Sequence, residues 1–269
     1  MTASFRKNLS VPGLLNSVYE QVSKISDPRQ FRKDPAISLS DHLMSGLAIF
    51  GLKFPSLLDF DKKRTDLPVI QNLKNLYHVN KPPSDTYLRE RLDSLNPDEL
   101  RSIFTRLFAL AQRGKALEDF EFHDGHVLIS GGGTGYFSSS AISCPQCCVK
   151  KHSNGKVSYY HQMFGACIVH PDKSNVIPLC PEVILNQDGH TKNDCERNAC
   201  KRFLENFRRE HPHLKGIILE DGLASNAPNI KMIEEHNLLA CQKYGLNLKF
   251  YCQFKFLLPF QGDNGVNIF

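Results

Sequence analysis

The apolar positions of this chain change period once, near residue 120, and that change sets the expected architecture. Before it, apolar residues recur at helical spacing. Ser40-Asp41-His42-Leu43-Met44-Ser45-Gly46-Leu47-Ala48-Ile49-Phe50 has a polar start followed by an apolar stripe, which predicts a helix. Lys81-Pro82-Pro83 reads as a loop, Ser84-Asp85 as a cap, and the residues through Arg91 as a short basic helix. Asn96-Pro97-Asp98-Glu99-Leu100 joins a capping side chain to a proline at the first helical position and to early acids. It feeds a single apolar face made of Leu100, Ile103, Phe104, Leu107, Phe108 and Ala111.

After Glu118 the apolar runs become short and rich in strand formers, at 126–129, 159–169, 176–185 and 216–219. Ser153-Asn154-Gly155-Lys156 is a hairpin signal. Residues 193–210 form an amphipathic helical pattern with Ala199, Phe203, Leu204 and Phe207 inward, and a further helix is expected to begin near Asn226-Ala227-Pro228. Three strands, a helix, a strand and a helix describe an α/β domain with a mixed sheet. The expected division is a helical region over 1–120, an α/β domain over 121–236 and a tail over 237–269. That tail holds seven aromatic and four charged residues and no capped helix, which sets it apart from the rest.

Two strand ends hold the candidate chemistry. Val127-Leu128-Ile129 leads to Gly131-Gly132-Gly133-Thr134-Gly135, and Gly216-Ile217-Ile218-Leu219 leads to Glu220-Asp221-Gly222. Both continuations read as turns of small residues. Strand ends in one α/β domain can gather acids around a metal even when far apart in sequence. Asp221 is such an acid, although a turn-forming Asp-Gly accounts for it equally. Glu220 alternates to the other side of its strand and reads as structural. The glycine cluster is not a phosphate loop: it lacks a Gly-Lys-Ser/Thr ending, and a Gly-x-Gly-x-x-Gly frame from Gly131 fails at Tyr136.

Composition narrows the class only modestly. A hydrophobic share of 41% and a charged share of 23% are ordinary for a globular protein. A net charge of +5 is compatible with nucleic acid without requiring it. No apolar run reaches membrane-span length and no signal-peptide core is visible, so a cytoplasmic protein with no membrane partner is expected. Nine cysteines without an export signal read as reduced thiols or metal ligands. Cys144 and Cys147 of Cys144-Pro145-Gln146-Cys147-Cys148, with His152 and His161 downstream, have the chemistry of a zinc site. No second Cys-x-x-Cys or His-x3-His completes it, and a hairpin with surface and buried thiols is the alternative. Ser138-Ser139-Ser140 lacks the Gly-x-Ser-x-Gly context of a hydrolase. Arg89, Arg91, Lys201, Arg202, Arg208 and Arg209 read first as solvated helix faces; their company on helices of a basic chain makes DNA contact the alternative.

Four segments together resemble bacterial insertion-sequence transposases of the DDE type. They are Gly133-Thr134-Gly135-Tyr136-Phe137-Ser138-Ser139-Ser140, the block from Tyr159-Tyr160-His161-Gln162-Met163 through Val176-Ile177-Pro178-Leu179, Asp194-Cys195-Glu196-Arg197-Asn198-Ala199-Cys200-Lys201-Arg202, and Glu220-Asp221-Gly222-Leu223-Ala224-Ser225-Asn226-Ala227-Pro228. The likeness runs from roughly residue 25 to 236. It implies an RNase H-like fold in which two Asp and one Glu hold two Mg²⁺ ions that activate water, then a 3′-hydroxyl, for attack on DNA. It also implies a double-stranded DNA partner, the transposon ends, and is compatible with a homo-oligomer. Carried over by position, the second acid is Asp221, the first falls on Gly132, and the third has no counterpart. Glu234 and Glu235 lie on the helix that leaves the strand.

The resemblance therefore implies an incomplete RNase H-like domain, ended by a frameshift or stop. The chain is expected to be a transposase by descent that no longer cuts DNA, with a partial Mg²⁺ site at Asp221. A non-catalytic DNA-binding remnant and a zinc-stabilised interaction module are the alternatives. In that fold 127–129, 164–169 and 176–185 pair antiparallel, 216–219 lies parallel to the first strand, and the 193–210 helix covers the sheet. Gly132 and Asp221 are then expected within roughly 10 Å, the reach of two carboxylates to shared metals.

Overall fold

The computed structural model describes residues 6–29, 36–186, 195–220, 227–244 and 249–252, in two units, Met1–Glu118 and Asp119–Phe269. In the first unit, short polar side chains decide where the helices begin. Ser10 caps α1 (Val11–Val22), Ser38 caps α2 (Leu39–Gly51) and Ser56 caps α3 (Leu57–Lys63), each hydroxyl accepting from a backbone N–H one turn in. The α2 start thus falls on Ser38, earlier than the expected Ser40. α4 (Leu67–Tyr77) stops at His78, whose φ of 57° is left-handed. α5 (Asp85–Leu92) follows Ser84 as expected. Asn96 caps a 3₁₀ turn, Pro97–Leu100, that runs into α6 (Arg101–Arg113), so the first turn of the expected helix is wound more tightly.

These helices close over a core of Val18, Val22, Met44, Ala48, Phe60, Leu73, Tyr77 and Val79, with Ile103 and Leu107 packed against it. Phe60 is fully buried and meets Phe54 edge-on at 5.4 Å between ring centroids. Two of the polar groups here are matched, whereas His42 Nε2 and Ser45 Oγ are buried without a hydrogen-bond partner among the described residues. Asp41 accepts from the Asn80 N–H at 2.7 Å, and Arg29 joins Asp27 to the Tyr87 hydroxyl.

The second unit is a mixed α/β domain. Its strands are β1 (Glu121–His123), β2 (His126–Ser139), β3 (Cys148–Lys151), β4 (Val157–Val169), β5 (Ile177–Pro178), β6 (Glu182–Ile184), β7 (Gly216–Glu220), β8 (Leu239–Tyr244) and β9 (Lys249–Cys252). The sheet order is β3-β4-β2-β7-β8-β9, with β1 on β2 and with β5 and β6 on β4. β2 runs antiparallel to β4 from Leu128↔Val169 to Ser139↔Tyr159 and parallel to β7 from Val127↔Gly216 to Ser130↔Leu219. Helix α7 (Glu196–Glu210) buries Ala199, Cys200, Phe203, Leu204 and Phe207, and the Phe203 ring lies 5.3 Å from that of Phe164 on β4. α8 (Ala227–Glu235) joins β7 to β8. The expected pairing, parallel partner and covering helix are all present, as is the 152–156 hairpin, where Gly155 takes a φ of 78°.

Four features depart from the sequence reading. Gly131 to Gly135 is not a turn: β2 continues through it to Ser139, because β4 is long enough to pair with every step. The 176–185 run is divided into β5 and β6, since Pro178 and Pro181 have no N–H for a continuous ladder. Beyond Asn237, where no element was expected, β8 pairs parallel to β7 and buries Ala240 and Cys241. Arg208 also departs from a solvated helix face. Its guanidinium donates to the carbonyls of His236, Pro212, Leu214 and Asn237, tying the end of α7 to the α8–β8 turn.

Two stability measurements test this packing. Phe60→Ala is expected to lower unfolding free energy by about 3–5 kcal/mol, read by chemical denaturation. His211, buried against Phe207, has its pKa held down to about 4 from 6.5 by burial and then by the Arg208 charge. Because the folded pKa is the lower one, protonation favours unfolding. Stability should be full above pH 6.5 and fall as pH drops from 6.5 towards 4, by at most about 1.4 kcal/mol per pH unit. His211→Gln should flatten that slope; an unchanged pH profile would refute the assignment.

Candidate functional site

The middle of β2 is shaped by alternation. Gly131 and Gly133 face α7: a Cβ at Gly131 would lie 2.7 Å from Phe164 Cζ, and one at Gly133 would lie 2.6 Å from Glu196 Oε2. The Gly133 N–H donates to Glu196 Oε1 at 2.8 Å, so the acid that opens α7 is anchored on the strand backbone. Gly132 points to the opposite face, and a Cβ there would meet nothing within 4 Å. Space requires the glycine at 131; it does not require one at 132.

β7 ends at Glu220, whose carboxylate accepts from Cys200 Sγ at 3.2 Å and from Asn229 Nδ2 at 2.6 Å. That is the structural role expected of it. Burial, with the Glu220 charge beside it, pushes the Cys200 thiol well above its ordinary pKa, so it stays protonated. Asp221 lies outside the described residues, and with it the expected approach to Gly132. Glu234 and Glu235 are exposed on α8. Among the described residues, Glu196 and Glu220 are thus committed to hydrogen bonds, and no group of three carboxylates forms a site for Mg²⁺.

A second group of side chains converges at the far end of β2. The register with β4 slips between Gly135↔Gln162 and Phe137↔His161, leaving Tyr136 as the extra residue of a β-bulge. Both aromatic rings then reach His161: Tyr136 stacks on it at 5.8 Å and 14°, and Phe137 meets it at 5.6 Å. From the other side come Cys144 and Cys147, on the turn that leads into β3. Their Sγ atoms are 3.6 Å apart, and each is 3.3 Å from His161 Nε2. The Cys144 N–H points at Cys147 Sγ at 3.3 Å. These three residues offer ligand atoms all within 4.8 Å of one another and can hold a metal ion. Burial raises the Cys147 thiol pKa; burial and the neighbouring cysteine charges raise that of the Tyr136 phenol.

Of the two histidines expected downstream of the cysteines, only His161 arrives. His152 instead meets Ser158 Oγ at 2.8 Å across the hairpin. Cys148 points elsewhere, its thiol donating to the Ile184 carbonyl at 3.7 Å. On α5, Arg89 is exposed and paired with Asp85 at 3.0 Å, while Arg91 lies partly buried over the Tyr87 ring at 5.0 Å. Only the first has the exposed charge that a phosphate contact needs.

No protein-family model matches this chain, and no curated protein matches it. Among solved structures, the piggyBac transposase in its synaptic complex with hairpin DNA is similar over 91% of this chain and 51% of its own, at 12% identity and a TM-score of 0.37. The chain spans about half the length of that protein.

The contrast between neighbouring glycines is directly testable. Gly132→Asp should change stability by no more than about 0.5 kcal/mol, since its side chain enters open space. Gly131→Ala should cost about 1–3 kcal/mol, because the Phe164 ring it strikes is itself packed on Phe203. Equal denaturation midpoints for the two variants would contradict this geometry.

Proposed function

We propose that this chain is a DNA transposase by descent that keeps an RNase H-like sheet, still binds double-stranded DNA and does not cut it. The sheet carries this reading: a long central strand, antiparallel to β4 on one side and parallel to β7 on the other, with α7 across one face. The segments that resemble insertion-sequence transposases fall on β2, on β4, at the start of α7 and at the end of β7.

Two-metal phosphodiester cleavage needs carboxylate oxygens on both sides of the scissile phosphate, because Mg²⁺ demands a near-octahedral shell of hard ligands. Gly132 brings no oxygen to the position of the first acid. Glu196 is not a replacement: its carboxylate accepts the Gly133 N–H on the opposite face of the strand. Asp221 remains as the proposed second acid, and a single carboxylate holds Mg²⁺ weakly. Binding to duplex DNA draws on the basic balance of the chain, with Arg89 as a proposed phosphate contact.

The test is an assay on transposon-end duplexes with Mg²⁺ or Mn²⁺. We expect no strand cleavage by the native chain and none by Asp221→Ala. Cleavage that disappears on that substitution would overturn the reading. Duplex binding should weaken steeply with salt, and Arg89→Ala should reduce the log–log salt slope by about 1. No binding to the duplex at low salt would remove DNA as the partner.

A further inference from the structure

The cysteine–histidine cluster is independent of the strand-end acids and has a purpose of its own. We infer that Cys144 Sγ, Cys147 Sγ and His161 Nε2 bind one Zn²⁺ ion, with the fourth tetrahedral position open to solvent.

The spacing of the donor atoms is the main argument. Bonds of about 2.3 Å to sulfur and about 2.0 Å to nitrogen, at tetrahedral angles, place two sulfurs about 3.8 Å apart and each sulfur about 3.5 Å from the nitrogen. The observed edges are 3.6 Å and, twice, 3.3 Å. A disulfide would require the sulfurs at about 2.05 Å and gives no reason for a histidine nitrogen equidistant from both. Two thiolates and an imidazole are also the donor set that favours zinc over the hard cations.

The surroundings agree with a metal. The Cys144 N–H directed at Cys147 Sγ supports the charge of a thiolate. On binding, the two thiols release their protons to solvent, and two thiolates against Zn²⁺ leave a site with no net charge. Such a site tolerates the partly buried position of Cys147 and His161. The Tyr136 and Phe137 rings fix the imidazole plane, and the bulge at Tyr136 is what brings both of them to it. Among the described residues no fourth His, Cys, Asp or Glu joins the cluster, and Cys144 is exposed, so the remaining position faces water.

A zinc ion here would clasp the loop between β2 and β3 to the middle of β4. One end of that loop is already held, by the Ala141 and Ile142 N–H groups on Ser139 Oγ. The metal would hold the other. This inference does not rest on the DNA reading, and either can fail without the other.

The experiment is metal analysis of the purified full chain, followed by replacement with Co²⁺. One zinc per chain is expected, together with a thiolate-to-cobalt charge-transfer band and the intense visible bands of four-coordinate cobalt. Cys144→Ser and His161→Gln should each weaken metal binding by more than about tenfold, whereas His152→Gln should leave it unchanged. Added azide should shift the cobalt spectrum, as an open position requires. In the unmodified chain, chelation should speed hydrogen exchange at the Cys144 and Cys147 amides, a readout that needs no variant to fold. A metal-free chain with a Cys144–Cys147 disulfide, or zinc retained in both the Cys144→Ser and His161→Gln variants, would overturn the site. A cobalt spectrum indifferent to azide would overturn its open fourth position.

Discussion

The antiparallel ladder between β2 and β4 is the constraint on which the rest of the second unit depends. It runs from Leu128↔Val169 to Ser139↔Tyr159 and leaves neither strand free to end early. Pairing of this length supplies a continuous set of backbone hydrogen bonds, so a glycine-rich stretch that would otherwise turn is held extended. Everything placed on either face inherits its position from that register. α7 lies over the Phe164 end, and the cysteine–histidine cluster lies at the Phe137↔His161 end.

Along that strand, successive glycines have different physical reasons. At 131 the absent side chain admits the Phe164 ring, and at 133 it admits Glu196, whose carboxylate then takes the strand N–H. At 132 no neighbour asks for the absence. The sheet is indifferent to what occupies that position, because a side chain projecting into open space contributes little to folding.

The cysteine–histidine cluster has the opposite character. Its donor atoms come from a turn and from a strand facing that turn, so it exists only once β2, β3 and β4 have paired. The bulge at Tyr136 adds one residue to β2 and directs two aromatic rings at His161 instead of one. A local irregularity of the ladder, which would weaken an ordinary sheet, here builds the wall of a site.

Much of the fold was written locally. Asn96 marked a helix start through capping chemistry, the period of Leu100 to Ala111 marked a buried face, and Asn154-Gly155 marked a hairpin. Each of these signals acts over a few residues, which is why sequence alone sufficed to place them. Cys144 and Cys147 were likewise visible as a pair through their spacing. What sequence could not decide was reached across the sheet. Gly131 to Gly135 has the local chemistry of a turn, and only a partner strand of sufficient length makes it a strand. β8 follows a helix without a strong pattern and is fixed by pairing to β7, and β9 in turn pairs with β8. The choice of His161 over His152 as the partner of the cysteines depends on register. His152 lies in the hairpin turn between β3 and β4, His161 lies nine positions later on β4, and only His161, opposite Phe137, faces the thiols. Local chemistry chose the elements, and long-range hydrogen-bond register chose which side chains meet, because a strand's neighbours are set by its partner and not by its own sequence.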